Sequence, residues 1–207
     1  MLKLYYSPGA CSLASHIALC EAGLKFEIAQ VDRAKKVPST GEDYLQVTPK
    51  GYVPALRLDD GAVLTEGTAI LPYIADRNPA STLAPAAGTL ARYRLHEWLG
   101  YINSEIHKAF GAFFSPSATD QMKQAARDTL TKRLDFTENE LGSRSFLLGE
   151  RFSVADCYLF TILSWLRFSS LELSQWSRLQ AYYTRIGARP AVVAAMTAEG
   201  LVNKNKA

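Results

Sequence analysis

Alternating strand and helix patterns give way to helical spacing alone partway along the chain, and that change divides it in two. Leu2 to Tyr6 is a short apolar run broken by Ser7-Pro8-Gly9, the pattern of a buried strand followed by a turn. From Cys11 to Ala22 the repeat lengthens to that of a helix. Leu13, Ile17, Cys20 and Leu24 line one face, and Gly23 serves as the stop. Phe26 to Val31 returns to a strand pattern. Strand, helix and strand at this spacing predict a βαβ unit with parallel strands and a right-handed crossover. Asp32 to Pro49 is polar and irregular, apart from a short helix near Gly41 to Gln46. Two short apolar runs flank Asp59-Asp60-Gly61 and predict a β-hairpin, with Pro54 at the start of its first strand. A helix through Ile70, Tyr73 and Ile74 follows, ended by Asn78-Pro79. Pro72 inside it predicts a kink or a late start.

Ala80 to Gly88, with Pro85 and several alanines, reads as a linker. Beyond it strand patterns stop. Tyr93, Leu95, Trp98, Leu99, Ile102, Ile106 and Phe110 predict one long helix reaching about Phe114, before Ser115-Pro116. Gln121 to Leu141 predicts another. Ser153-Val154-Ala155-Asp156, preceded by Phe152, has the form of a capping box with a hydrophobic staple. The helix it opens is apolar almost all round and is expected to be the buried centre of this half. Trp176 to Ile186 and Ala191 to Ala198 complete the helices. The expected organisation is a βαβ–ββα domain over residues 1–80 and an all-helical domain over residues 88–207, an α/β plus all-α fold.

Composition narrows the function classes. A chain of 207 residues with 48% apolar and 21% charged positions has ample core for this arrangement. Its 23 basic and 20 acidic residues are interspersed, giving a net charge of +3 without a basic cluster of the kind that tracks phosphates. Nucleic acid is therefore not an expected partner. The N-terminal stretch has one lysine and a Pro-Gly break, a poor signal peptide, and no run approaches the roughly 18 apolar residues of a membrane span. A cytoplasmic location and no membrane association are expected.

Three cysteines, Cys11, Cys20 and Cys157, form no C-x-x-C pair, and with three histidines they make no metal-ligand pattern. Cys11 carries the sharpest chemical signal. At a helix start its thiol meets unpaired backbone N–H groups and the positive end of the helix dipole, which favour a thiolate. The opposing reading is a buried, inert cysteine, the commoner state of a lone Cys and the one expected for Cys20 and Cys157.

Five stretches in register resemble the cytosolic glutathione S-transferases, and most specifically their bacterial beta class. They are Tyr5-Tyr6-Ser7-Pro8-Gly9-Ala10-Cys11-Ser12-Leu13, Pro49-Lys50-Gly51-Tyr52-Val53-Pro54-Ala55-Leu56 and Leu64-Thr65-Glu66-Gly67-Thr68-Ala69-Ile70. In the helical half they are Glu97-Trp98-Leu99-Gly100-Tyr101-Ile102 with Glu105-Ile106-His107-Lys108, and Phe152-Ser153-Val154-Ala155-Asp156. The resemblance implies a thioredoxin-like first domain that binds glutathione and a helical second domain forming the electrophile-binding side. It implies a homodimer that conjugates reduced glutathione, a co-substrate rather than a cofactor, to hydrophobic electrophiles.

The same resemblance places Cys11 beside the glutathione thiol and assigns Cys11 and His107 to catalysis. It gives Val53 and Pro54, joined by a cis bond, to the cysteinyl backbone. Glu66 and Gly67 take the γ-glutamyl group and Lys36 the glycyl carboxylate. Ser104 and Glu105 face the neighbouring subunit's glutathione. Tyr52 and Gly100 depart from the usual Gln and Asn of the class. Two other readings stand beside conjugation: a glutathione-dependent thiol–disulfide oxidoreductase using Cys11, and a non-enzymatic ligand-binding protein of the same fold.

Overall fold

The computed structural model of the chain describes residues 1–32 and 37–202. Strand β1 (Leu2–Tyr6), buried at four of its five positions, is the middle of a five-stranded sheet among the described residues. It runs parallel to β2 (Phe26–Asp32), with Leu2 opposite Phe26 and Tyr6 opposite Gln30. On its other side it runs antiparallel to β4 (Ala55–Arg57), which forms the expected hairpin with β5 (Val63–Thr65). The outer edge beside β2 is β3 (Val37–Pro38), and the order is β3–β2–β1–β4–β5. Two residues, one a proline, carry too little periodicity to announce a strand, so β3 was not expected.

Helix α1 (Ser12–Glu21) makes the crossover from β1 to β2 and is buried continuously from Ser12 to Leu19. A one-faced helix was expected. It is covered on more than one side because α3 (Gly67–Arg77) and α9 (Pro190–Ala198) both pack on it. The Arg189 guanidinium, at the start of α9, grips both carboxylate oxygens of Glu21 at the end of α1, through Nε at 2.5 Å and Nη2 at 2.8 Å. Such a planar fork fixes direction as well as distance. The short α2 (Tyr44–Val47) is capped by Asp43, whose side chain accepts the Leu45 N–H. Pro72 does not delay α3, which runs from Gly67 to Arg77. Its missing N–H removes only the bond to the Thr68 carbonyl in the first turn.

The chain forms two compact units, residues 1–84 with the segment from Ala188 onward, and residues 85–187. The break at Ala84–Pro85 falls inside the expected linker. The C-terminal helix groups with the first unit, in contrast to an all-helical domain extending to residue 207, because its apolar face is buried on α1.

In the second unit α4 (Leu90–Tyr101) is capped by the Thr89 hydroxyl, and α6 (Asp120–Leu141) by that of Thr119. The single long helix expected to reach Phe114 is interrupted. After α4 the chain makes a π-helical turn at Ile102–His107, a 3₁₀ turn at Lys108–Phe110, and only then α5 (Gly111–Phe114). All ten residues of α7 (Val154–Leu163) are buried, as its unbroken apolar pattern requires. Glu138 of α6 accepts the Arg178 and Leu179 N–H groups and so caps α8 (Ser177–Gly187) from a neighbouring helix. Among the described residues no helix is long and apolar enough to cross a membrane, and no group of three potential metal ligands assembles.

The α7 cap is the polar centre of this unit. Asp156 Oδ2 accepts both the Ser153 N–H and hydroxyl at 2.8 Å, and Oδ1 accepts the Leu147 N–H and the Tyr182 hydroxyl at 2.9 Å. Asp156→Ala leaves four buried donors without their acceptor and should cost about 3–5 kcal/mol. Urea unfolding under reducing conditions measures it; a loss below about 1 kcal/mol would contradict this role.

Candidate active site

The turn between β1 and α1 is held from three directions. Gly9 adopts φ 65°, a conformation that favours glycine, and the Ala10 N–H closes the turn on the Ser7 carbonyl at 3.0 Å. Ser12 reaches back across it, its hydroxyl accepting the Ser7 N–H at 3.1 Å and donating to the Ser7 carbonyl at 3.3 Å. The third hold comes from the far end of the chain. Glu199, immediately after α9, accepts the Gly9 N–H on Oε2 and contacts His16 Nδ1 on Oε1, each at 2.9 Å. The Glu199 side chain is fully buried and that of His16 nearly so.

These holds place Cys11 directly before α1, half-buried and already helical at φ −58° and ψ −20°. Its thiol donates to the Val53 carbonyl at 3.3 Å. The Val53–Pro54 bond is cis. The preceding carbonyl, that of Tyr52, accepts the buried Tyr44 hydroxyl at 2.7 Å, which anchors the approach to this bend. The structure therefore brings Cys11 and Val53 together and sets Pro54 beside them.

Glu66 and Gly67 open α3 on the same unit. Glu66 has φ 70° and ψ 119°, a conformation that costs a non-glycine residue about 1–3 kcal/mol. Its carboxylate does not cap its own helix; it pairs with Lys50 Nζ at 2.5 Å, and Lys50 also donates to Thr65 Oγ1 at 3.1 Å. A Cβ at Gly67 would meet nothing within 4 Å, so the absence of a side chain there is not imposed by crowding. Lys36 lies outside the described residues.

The neighbouring phenols are occupied structurally. Tyr5 is fully buried and donates to Glu42 at 2.7 Å, and Glu42 is also gripped by Arg57 at 2.8 Å. Burial, reinforced by the Glu42 hydrogen bond, raises the Tyr5 pKa well above the ordinary phenol value. Burial and then Glu199 raise that of Tyr6. Neither is poised to ionise near neutrality. The Cys20 thiol is pushed up to about 11, mainly by burial, and Cys157 is wholly buried, so both fit the inert reading.

In the second unit Ser104, Glu105 and His107 all lie on the π-helical turn. Glu105 is held by Arg133 at 2.7 Å, and Ser104 Oγ donates to it at 3.4 Å. His107 Nδ1 lies 2.7 Å from the Tyr158 hydroxyl, which donates to Asn103 Oδ1 at 2.9 Å. The ring edge meets Trp165 with centroids 4.9 Å apart. Burial among these aromatic groups pushes the His107 pKa down to about 4. Trp165 also contacts Phe110 and Phe114, and Phe114 contacts Phe168. Trp165 and Phe168 come from the turn after α7 and join the rings of Phe110 and Phe114 in one aromatic cluster.

Sequence reading missed Glu199, His16, Asn103 and Tyr158. Only His16 had a local signal, a polar group on an otherwise apolar helix, which demands a buried partner.

Glu199→Ala should lower stability by about 3 kcal/mol, because it takes the carboxylate from the buried His16 ring and from the Gly9 turn. Urea unfolding tests this, and an unchanged midpoint would refute it. His107 gives a pH signature. It stays neutral in the fold to about pH 4, while in the unfolded chain it protonates near 6.5. The unfolded state thus binds the extra proton between those values. The contribution is fully present above pH 6.5 and is lost, to about 3 kcal/mol, as pH falls through 4. His107→Phe should flatten that part of the stability profile; an identical acid slope in both proteins would contradict it.

Comparison with known proteins places both units. The glutathione S-transferase N-terminal domain model matches residues 9–77, and the glutathione S-transferase C-terminal domain model matches residues 101–190. Glutathione S-transferase GstA of Escherichia coli O157:H7 is 44% identical over 200 residues, covering 97% of this chain and all of that protein. A sphingomonad glutathione S-transferase solved in complex with glutathione is 50% identical. It covers 97% of this chain and all of its own, with a TM-score of 0.94. The bacterial beta class enzyme of Sphingomonas chungbukensis is 49% identical over the same shares, also with a TM-score of 0.94. With its cysteine at the start of α1, its cis-proline bend and these full-length matches, the chain belongs to the glutathione S-transferase family, among relatives of the bacterial beta class.

Proposed function

We propose that the protein is a cytoplasmic homodimer that conjugates reduced glutathione to hydrophobic electrophiles. The observation that carries this reading is the Cys11 thiol at the start of α1, 3.3 Å from the carbonyl of Val53 next to a cis proline. A bend of this kind offers backbone groups to an extended peptide as a strand edge does, and Val53 would bind the cysteinyl part of glutathione through them. The first N–H groups of α3, at Gly67, suit the γ-glutamyl carboxylate. Glu66 suits the adjacent ammonium group, which would then displace Lys50 from its carboxylate. Lys36 is assigned the glycyl carboxylate, and Ser104 and Glu105 the glutathione of the neighbouring subunit.

A thiol with an ordinary pKa is mostly protonated at neutral pH, so catalysis requires a larger thiolate fraction. The positive end of α1 favours the anion, Cys11 can hydrogen-bond to it, and the neutral His107 imidazole can share a hydrogen bond with the thiol. The thiolate then attacks the electrophilic carbon; with an aryl halide, the new C–S bond forms as halide leaves. The contiguous rings of Phe110, Phe114, Trp165 and Phe168 suit a flat, apolar electrophile.

The half-buried Cys11 thiol also supports a second reading, thiol–disulfide exchange. Its thiolate would attack oxidised glutathione, forming a Cys11–glutathione disulfide and releasing one glutathione thiolate. Cys11→Ala distinguishes the two. With reduced glutathione and an activated aryl halide, the variant should retain conjugation to within about tenfold of the parent. It should also lose the glutathionyl adduct that intact-mass measurement finds on the parent after oxidised glutathione. Tight glutathione binding with no turnover of any electrophile in a panel would refute conjugation and favour a binding protein.

A further inference from the structure

The hydrogen bonds around His107 determine which of its ring nitrogens carries the proton. A tyrosine hydroxyl has one hydrogen to give and lone pairs with which to accept. The Tyr158 hydroxyl gives its hydrogen to Asn103 Oδ1 at 2.9 Å. Towards His107 Nδ1, 2.7 Å away, it can therefore only accept, and Nδ1 must donate. Tyr158 cannot turn away easily: it is 3% exposed on the wholly buried α7. Asn103 and His107 lie four residues apart on the π-helical turn, so one short segment supplies both ends of the chain. Trp165 meets the ring from another side and offers its aromatic surface rather than a competing carboxylate.

We propose that Tyr158 and Asn103 are positioning residues that hold His107 in the Nδ1–H tautomer and leave the lone pair on Nε2 as the ring's hydrogen-bond acceptor. The pair acts on the imidazole alone. Without it an imidazole favours the proton on Nε2, which turns the acceptor into a donor and reverses the partner the ring can take, from a thiol S–H to a thiolate. The part concerning the thiol rests on the conjugation reading above. The tautomer assignment does not.

Nitrogen-15 NMR of the protein at pH 7, without glutathione, reads the two ring nitrogens directly. The parent should show a protonated, pyrrole-like Nδ1 and an unprotonated, pyridine-like Nε2. Tyr158→Phe should move the proton to Nε2, so that the two ring nitrogens exchange their pyrrole-like and pyridine-like signals. Asn103→Asp tests the direction of the relay at an exposed position with little risk to folding. A carboxylate can only accept from Tyr158, so the parent tautomer should persist; Asn103→Ala frees the hydroxyl to turn towards Nδ1, and the proton should shift to Nε2. A parent spectrum with Nε2 protonated, or a Tyr158→Phe spectrum identical to the parent, overturns the proposal. If the tautomer is as assigned but His107→Ala conjugates at the parent rate, the positioning chain stands and the catalytic role of His107 falls.

Discussion

One buried carboxylate governs the chemistry-bearing end of the first unit. Glu199 sits where an ion would be costly to keep unless its oxygens are occupied, and both are: one by the Gly9 N–H, one by His16. The requirement works in both directions. The turn cannot move without stranding Glu199, and the segment after α9 cannot move without releasing the turn. The position of the Cys11 sulfur against Val53 follows from this closure, since Gly9 is two residues from Cys11 and Ser12 ties the turn from its other side. A second constraint, the Arg189 fork on Glu21, fixes the other end of the same helix pair.

The second unit solves a different problem. A regular helix from α4 to Phe114 would place side chains on a constant repeat. The π-helical turn widens one stretch and changes the direction in which Asn103, Ser104, Glu105 and His107 project. Irregular hydrogen bonding in a helix is unfavourable by itself, and here it coincides with a set of paired polar groups: Glu105 with Arg133, and His107 with Tyr158 and Asn103. The departure from regularity and the functional candidates share the same six residues.

Much of this was legible in the sequence, and the limits have physical causes. The βαβ–ββα order, the Asp59-Asp60-Gly61 hairpin, the cap at Ser153–Asp156 and the buried α7 all rest on local periodicity or short-range hydrogen bonding. Those are properties a few adjacent residues express. The resemblance added the cis bond before Pro54 and assigned Cys11 and Val53 to one glutathione site; their direct contact came from the structure. What was not legible depended on residues distant in sequence. Nothing near Glu199 says that its partner is Gly9, 190 positions earlier, and nothing near Tyr158 points to Asn103. The π-helical turn was missed for a related reason: Ile102 and Ile106 keep a spacing of four, which suits a regular helix equally well. The short β3 was missed because two residues cannot show a period.

The discontinuity of the first unit bears on how the chain is made. A ribosome delivers β1, α1 and the rest of the sheet first, then the whole helical unit, and only afterwards α9 and Glu199. Residues 85–187 are contiguous and have their own buried centre, so they can reach their final packing while the chain is still attached. The first unit, although begun first, lacks the helix that covers α1 and the carboxylate that closes the Gly9 turn until α9 and Glu199 emerge. During that interval the apolar flank of α1 is open to chaperones or to wrong partners. Of these two units, the one begun first is therefore the last to be finished.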